Sequence, residues 1–291
     1  MALERIDNPA LSERTSLGFG GCAAVELIVR EENDLDAVAD FLGRNALPPF
    51  VLGRGTNLLA RNARHELVLL RAGLPSYPDR IEEQNGKIIV RAGAGLRLPG
   101  LLGWAQKAGF SGLEGLTGIP GSVGGAVAMN AGSYGVEFGD VLTRIRLWTP
   151  AQGLFWMHAA DCEFGYRHFD PGCGKALIWE VELALDEASS RSVHKAMKQA
   201  YAQKRKTQPV TAKSAGCVFR NPEGDSAGRL LDKAGFRGAR LGGVGFSEMH
   251  ANFLVNMGNG TGEEALELMD QARMRVRELF GVNLETEVII L

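Results

Sequence analysis

Apolar and polar residues alternate through residues 24–29, AVELIV, in the two-residue rhythm of a half-buried strand. The period then changes. Leu35, Val38, Phe41 and Leu42 recur at helical spacing, with Asn33 and Asp36 as an N-cap and its acidic partner. Pro48 and Pro49 close the connection before a strand that runs into the turn Gly53-Arg54-Gly55-Thr56-Asn57, and ELVLL completes a small α/β unit by about residue 72. A second region opens with the strand KIIVRAG and a helix from about Pro99, a residue suited to a first helical position, to Lys107. Further on, DVLTRIRLWTP and LFWMHA predict a hairpin turning at residues 151–153, and LIWEVELAL another strand. Residues 192–206 predict a helix whose basic end, Lys204, Arg205 and Lys206, suits a C-terminus and reads as a solvated helix end or a local anion contact. From Pro209 the pattern is strand, turn and short helix, then a strand at NFLVN. Thr261 and Glu264 form a capping box for the longest helix, which ends at Phe280 before Gly281 and should bury Leu266, Met269, Ala272, Val276 and Leu279. NLETEVIIL predicts a terminal strand.

One stretch follows neither period. Residues 112–135, GLEGLTGIPGSVGGAVAMNAGSYG, crowd glycine among Leu113, Leu116, Ile119, Val123, Val127 and Met129 and carry no charge after Glu114. Glycine at this density marks close backbone approach or positive φ. A flexible linker would not leave so many apolar residues in water. Backbone N–H groups in such a loop can cradle phosphate. Together with the turn at 53–57, the chain has two glycine loops that suit a pyrophosphate, and neither contains a lysine. No Gly-x-Gly-x-x-Gly lies between a first strand and a helix, which disfavours the dinucleotide fold that carries that fingerprint.

Composition narrows the classes. The length of 291 residues allows one large domain or two to three smaller ones. A net charge of −2 lacks the basic excess of a nucleic-acid binder. No apolar run is long enough for a membrane span, and the N-terminus lacks a signal-peptide core, so no membrane association and a cytoplasmic location are expected. Cys22, Cys162, Cys173 and Cys217 form no CxxC pair and suggest reduced thiols, with neither a metal site nor a disulfide framework. No obligate protein partner is evident.

Seven ordered blocks, TSLGFGG, VLGRGTNLL, the 112–135 stretch, FGYR, AGCVFRNPEGDSAGRLLDKAG, SEMHANFLVN and LETEV, resemble the UDP-N-acetylenolpyruvoylglucosamine reductase (UDP-N-acetylmuramate dehydrogenase) family of bacterial peptidoglycan synthesis. The resemblance implies an α+β chain: a two-part FAD-binding module of the vanillyl-alcohol-oxidase type plus an α+β substrate-binding domain. Residues 1–72 and 73–207 would be the flavin parts and 208–281 the substrate domain, with strand 282–291 returning to the flavin module. Between FGYR and the helix at 192 there is no room for a long tyrosine-bearing insertion, which resembles the family's shorter subtype.

The reaction implied is NADPH-driven reduction of UDP-N-acetylglucosamine enolpyruvate through non-covalently bound FAD. Such chemistry needs a clamp on the substrate carboxylate and a proton donor for the carbon beside it. By resemblance the clamp is Arg167, the donor is Cys217 where the family commonly has serine, and Glu287 is a second polar partner. Taken alone, Arg167 is an ordinary surface arginine, Cys217 a small core residue, and Glu285 or Glu287 a solvent-facing charge. FAD falls to Gly53, Arg54, Gly55, Thr56, Asn57 and Leu58 in one loop. In the other it falls to Gly118, Ile119, Pro120, Gly121, Ser122, Gly124, Gly125, Asn130 and Gly132, with Asn130 and Tyr134 also able to brace the loop. Tyr166, Lys206, Asn221 and His250 are the expected contacts to substrate or NADPH. The alternative is an untethered flavin oxidase of the same fold, since residues 53–57 offer no histidine or cysteine for a flavin tether.

Overall fold

The computed structural model describes residues 3–73 and 77–291. In chain order the first half holds β1 Glu4–Asp7, β2 Cys22–Val29, α1 Asp34–Arg44, β3 Pro49–Val51, β4 Leu58–Leu59, β5 Arg64–Ala72, β6 Asp79–Gln84, β7 Lys87–Gly93, α2 Leu98–Ala108, β8 Phe110–Ser111 and α3 Val123–Ala128. It continues with β9 Gly132–Ser133, β10 Val136–Glu137, β11 Leu142–Thr149, β12 Gly153–His158, β13 Glu163–Gly165, β14 His168–Asp170, β15 Leu177–Glu187 and α4 Ser190–Thr207. Then come β16 Ser214–Cys217, α5 Ala227–Lys233, β17 Arg240–Leu241, β18 Val244–Phe246, β19 Phe253–Asn256, α6 Gly262–Phe280 and β20 Ile289–Ile290. One sheet has the order β1-β2-β5-β3, a larger one β12-β11-β15-β7-β6 with β8 on the end of β15, and a third β16-β19-β18-β17.

Contacts gather the chain into two compact units. One comprises residues 1–6, 25–53 and 67–203; the other comprises 7–24, 54–66 and 204–291. The three consecutive parts expected from the sequence cut the chain elsewhere, most visibly at 54–66, which groups with the C-terminal region.

In the first unit the large sheet turns Val90, Ile145, Val181 and Leu183 toward Leu98, Leu101 and Leu102 of α2 and Val123 and Val127 of α3. Strand alternation puts charge on the opposite face. There Glu182, 5% exposed, accepts from Arg91 at 2.7 Å and Arg144 at 3.3 Å. Both guanidiniums lie over the Trp156 ring, at 5.2 and 4.6 Å. The second unit packs Phe219, Leu230, Phe246 and Leu254 against Ala265, Leu268, Met269, Ala272 and Val276 of α6.

Local signals account for the ends of α6. Thr261 Oγ1 accepts from Glu264 N at 3.2 Å, the Glu264 carboxylate accepts from Thr261 N at 3.0 Å, and Gly281 closes the helix at φ +70°. Several expectations need correction. Leu279 is 45% exposed and Leu266 only half-buried, because the last turn outruns the core and the buried stripe is set by Ala265 and Leu268. Asn33 makes no side-chain cap; the Asp34 carboxylate ties the preceding turn, accepting from Arg30 N and Glu31 N. The terminal strand is reduced to β20, which runs parallel to β4, and a bridge between Thr286 and Phe219, because the segment changes partners midway. Lys204 is not solvated; it is 3% exposed.

Removing one half of the reciprocal cap should cost about 1 kcal/mol. Thr261→Ala is therefore expected to lower the urea midpoint with the slope unchanged. A changed slope would mean that the cap also shapes the unfolded state.

Candidate flavin and substrate site

In the first unit the chain leaves β3 at Gly53 and passes so close to Ser122 that a Cβ there would lie 2.6 Å from its Oγ. Ser122 is the buried N-cap of α3, and its Oγ accepts from Gly125 N at 3.3 Å. The first helical amides are committed to the scaffold: Val123 N donates to Leu96 O and Gly124 N to Ala94 O, each at 2.9 Å. Ile119 N likewise goes to Leu116 O, and Pro120 has none to give. The turn before the helix differs. Gly118 and Gly121 take φ of +82° and +126°. Among the described residues, no protein acceptor takes the N–H of Gly53, Gly118 or Gly121. Uncommitted backbone donors on a surface kept free of side chains fit the pyrophosphate of FAD.

The same stretch ends against a hairpin. β13 and β14 pair Gly165 with His168, leaving Tyr166-Arg167 as a two-residue turn. Arg167 has φ +54°, donates from Nη2 to Gly132 O at 3.2 Å, and lies 5.0 Å over the exposed Tyr166 ring. Asn130, 2% exposed, donates to Gly165 O at 3.0 Å. The structure thus brings together Asn130, Gly132, Tyr166 and Arg167. Glycine or asparagine ordinarily fills left-handed turn positions. An arginine there carries strain of about 1 kcal/mol, of the kind found at functional sites.

In the second unit Cys217 ends β16, half-buried and paired with Phe253. Beside it Asn252, 1% exposed, replaces a strand partner: its Nδ2 donates to Phe219 O at 2.7 Å and its Oδ1 accepts from Phe219 N at 3.0 Å. On the other side Glu287 N donates to Val218 O at 2.8 Å and Arg220 N to Glu285 O at 2.9 Å. The half-buried Glu287 therefore lies beside the residue that follows Cys217, while Glu285 is exposed. Asn57 fastens this segment, donating to Glu287 O at 3.2 Å and accepting from Ile289 N at 3.0 Å. A Cβ on Gly55 would run into the Arg14 carbonyl oxygen. Ser16 N donates to Gly55 O at 3.0 Å and Ser16 Oγ to Ser214 O at 2.6 Å, which ties the loop to the strand of Cys217. Arg54 is exposed, Thr56 half-buried and Leu58 buried under β20. Asn57, Cys217 and Glu287 share this unit; Arg167 belongs to the other.

Asn221 and His250 meet at the start of α5. Asn221 Oδ1 accepts from Ala227 N at 3.0 Å, and the His250 ring packs over Gly228 and 4.9 Å from Phe253. His250 Nδ1 accepts from Asn252 N at 3.2 Å, so the neutral ring carries its proton on Nε2. Burial, and then the nearby Arg237 charge, pull the His250 pKa below its ordinary value. Lys206 is exposed on α4, away from the buried Lys204. Asn252 is not singled out in the sequence, where an amide inside HANFLVN carries no distinguishing mark, and Lys204 stands there only as part of a basic helix end. Among the described residues no His, Cys, Asp or Glu cluster could hold a metal ion, and no helix is long and apolar enough to cross a membrane.

Two glycine loops on an α+β scaffold, followed by a further α+β region, are the build of a flavoprotein with an FAD-binding module. Residues 23–156 match the FAD binding domain family, and residues 208–291 match the UDP-N-acetylenolpyruvoylglucosamine reductase C-terminal domain. The chain is 46% identical to the UDP-N-acetylenolpyruvoylglucosamine reductase of Nitratidesulfovibrio vulgaris, covering 99% of each chain. It is 33% identical to that of Bacillus subtilis, over 98% of this chain and 93% of the other. The crystal structure of the Thermus caldophilus enzyme superposes with a TM-score of 0.81 at 35% identity, covering 100% of this chain and 99% of that one. The chain belongs to the UDP-N-acetylenolpyruvoylglucosamine reductase family.

Two outcomes follow from this geometry. Arg167→Gly relieves the left-handed strain while losing guanidinium contacts, the bond to Gly132 O and the Tyr166 ring among them, so stability should stay within about 1 kcal/mol. A loss of several kcal/mol would show that the hairpin depends on the guanidinium for folding. For His250, the folded ring holds its proton less tightly than an unfolded ring of pKa about 6.5. Stability present above that pH is lost as pH falls through the depressed folded value. His250→Gln should flatten this acid-side decline in denaturant midpoints, and an unchanged slope would place the titration elsewhere.

Proposed function

We propose that this enzyme reduces UDP-N-acetylglucosamine enolpyruvate to UDP-N-acetylmuramate in peptidoglycan precursor synthesis, with NADPH as reductant and FAD bound non-covalently. The observation that carries the reading is the place of Cys217 at the end of a strand whose continuation, Val218 and Phe219, is held between Asn252 and the Glu287 segment. When bound, FAD would supply the hydride chemistry between NADPH and the enol ether. The amides of Gly53, Gly118 and Gly121 would hold its pyrophosphate. The rest of the two loops, Ile119 to Gly125 and Gly55 to Leu58, shape the surface around it.

Arg167 takes the substrate carboxylate bidentately and stabilises the charge that develops beside it. The carbon next to the carboxylate then needs a proton. An ordinary thiol, with a pKa of about 8.5, is mostly protonated at neutral pH and far more acidic than a hydroxyl. Cys217 Sγ–H gives that proton and regains one from solvent after turnover. Glu287 is the polar partner near the carboxylate. Tyr166, Lys206, Asn221 and His250 contact substrate or NADPH, His250 through its Nε2–H. We assign the flavin parts to residues 1–72 and 73–207 and the substrate domain to 208–281. We place the enzyme in the bacterial cytoplasm, acting without an obligate protein partner. The oxidase alternative leaves the match over residues 208–291 unexplained.

Stopped-flow flavin absorbance tests this. NADPH should bleach the flavin of the wild type and of Cys217→Ala at similar rates. Reoxidation by UDP-N-acetylglucosamine enolpyruvate should slow by about 10²–10⁴-fold in the alanine variant, the usual span of general acid catalysis. Cys217→Ser should recover much of the loss. A protein that cannot take up FAD would sink the function, and an alanine variant reoxidised at the wild-type rate would return Cys217 to the core.

A further inference from the structure

Asn130 is 2% exposed, has φ +38°, and spends its amide on protein partners. Its Nδ2 donates to Glu137 Oε2 at 2.8 Å and to Gly165 O at 3.0 Å. Its Oδ1 accepts from Gly139 N at 2.9 Å. Two acceptors on one end and a donor on the other fix the amide's orientation, and no other side chain of this size satisfies all three. Glu137 is itself held by reciprocal bonds with Asp140, so it is a fixed acceptor. Gly139 must stay small, since a Cβ there would lie 3.1 Å from Asn130 Oδ1 and 3.0 Å from the Phe164 ring.

The acceptor at Gly165 is the last carbonyl before the Tyr166-Arg167 turn. Two residues beyond Asn130, Gly132 O accepts from the Arg167 guanidinium. The end of the glycine-rich stretch therefore grips the hairpin tip twice, once by the Asn130 amide and once at Arg167 itself. Displacing Gly165 displaces the guanidinium. A misplacement of about 1 Å is enough to cost 10²-fold in rate.

We propose that Asn130 is a positioning residue: it sets Arg167 relative to the flavin-binding stretch and does not bind the cofactor. The inference rests on the function proposed above. Its test is Asn130→Asp, which keeps the size but sets a carboxylate against Gly165 O and the Glu137 carboxylate. Reoxidation of the reduced flavin by UDP-N-acetylglucosamine enolpyruvate should fall at least tenfold at about pH 8, with reduction by NADPH and FAD affinity within about twofold of wild type. As pH falls the introduced carboxyl takes up a proton of its own, and its O–H can again donate to Gly165 O. Reoxidation in the variant should therefore recover toward pH 6 relative to wild type while FAD affinity and reduction by NADPH stay unchanged across the range, a selectivity that a general loss of folding would not produce. Loss of FAD affinity in step with reoxidation, or reoxidation at the wild-type rate, would overturn the proposal. If Asn130→Asp does not fold, Asn130→Ala is measured in the same two half-reactions: a selective loss of reoxidation without recovery at low pH supports the role, and loss of FAD overturns it. A wild-type flavin that the substrate cannot reoxidise would defeat the function itself, which separates that failure from this one.

Discussion

At Gly53 a Cβ would meet the Ser122 hydroxyl, and at Gly55 it would meet the Arg14 carbonyl, so neither position has room even for a methyl group. Both contacts act on a single loop, and both work by excluding side chains. Their effect is to leave backbone amides as the loop's working surface. Such a surface suits a phosphate without a lysine: donors fixed by packing need no long flexible cation, and they lose little entropy when an anion arrives. The elements on either side follow from this. β3 delivers the chain to the close approach, and the Ser122 cap sets where α3 begins.

Around the site, neutral hydrogen bonds from buried amides set backbone geometry. Exposed ion pairs such as Arg44–Asp40, Arg64–Glu66 and Arg240–Glu248 contribute about 0–1 kcal/mol and weaken with salt. The buried amides of Asn130 and Asn252 are different. Each satisfies both a donor and an acceptor in the surrounding backbone, and removing either would leave buried polar groups unpaired at about 1–3 kcal/mol each. They are also short side chains with few rotamers, so they fix a backbone more tightly than an arginine–carboxylate pair of equal strength.

Much of the fold was legible because its signals are local. The strand at residues 87–93, the hairpin turning at 151–153 and the Thr261 cap each depend on neighbours a few residues away. The terminal segment was misread because its partners, Phe219 and Leu58–Leu59, are distant in sequence and divide it between them. Lys204 and Lys206 are alike in sequence, and only tertiary packing separates a buried from an exposed lysine. Of the proposed site, Arg167, Cys217 and Glu287 became visible through the family blocks rather than through spacing. Asn252 did not, since an asparagine beside a strand gives no sign of whether its amide caps, bonds another strand or faces water.

The left-handed residues mark the same region without any appeal to family. Among the described residues five non-glycine positions have positive φ: Asn8, Asn85, Asn130, Tyr134 and Arg167. Asparagine tolerates that conformation, so Asn8 and Asn85 need no special cause. Tyr134 and Arg167 are bulky, and each occupies a two-residue turn, between β9 and β10 and between β13 and β14. Elsewhere the described residues with positive φ are glycine or asparagine. The chain keeps large side chains in strained turns on the two stretches that Asn130 and Gly132 tie to the Arg167 hairpin. Strain of about 1–3 kcal/mol per residue persists only where the surroundings over-determine the conformation. The buried amide of Asn130, with three fixed partners, supplies that determination. The exposed ring of Tyr134 and the guanidinium of Arg167 are what a glycine at either position would lack.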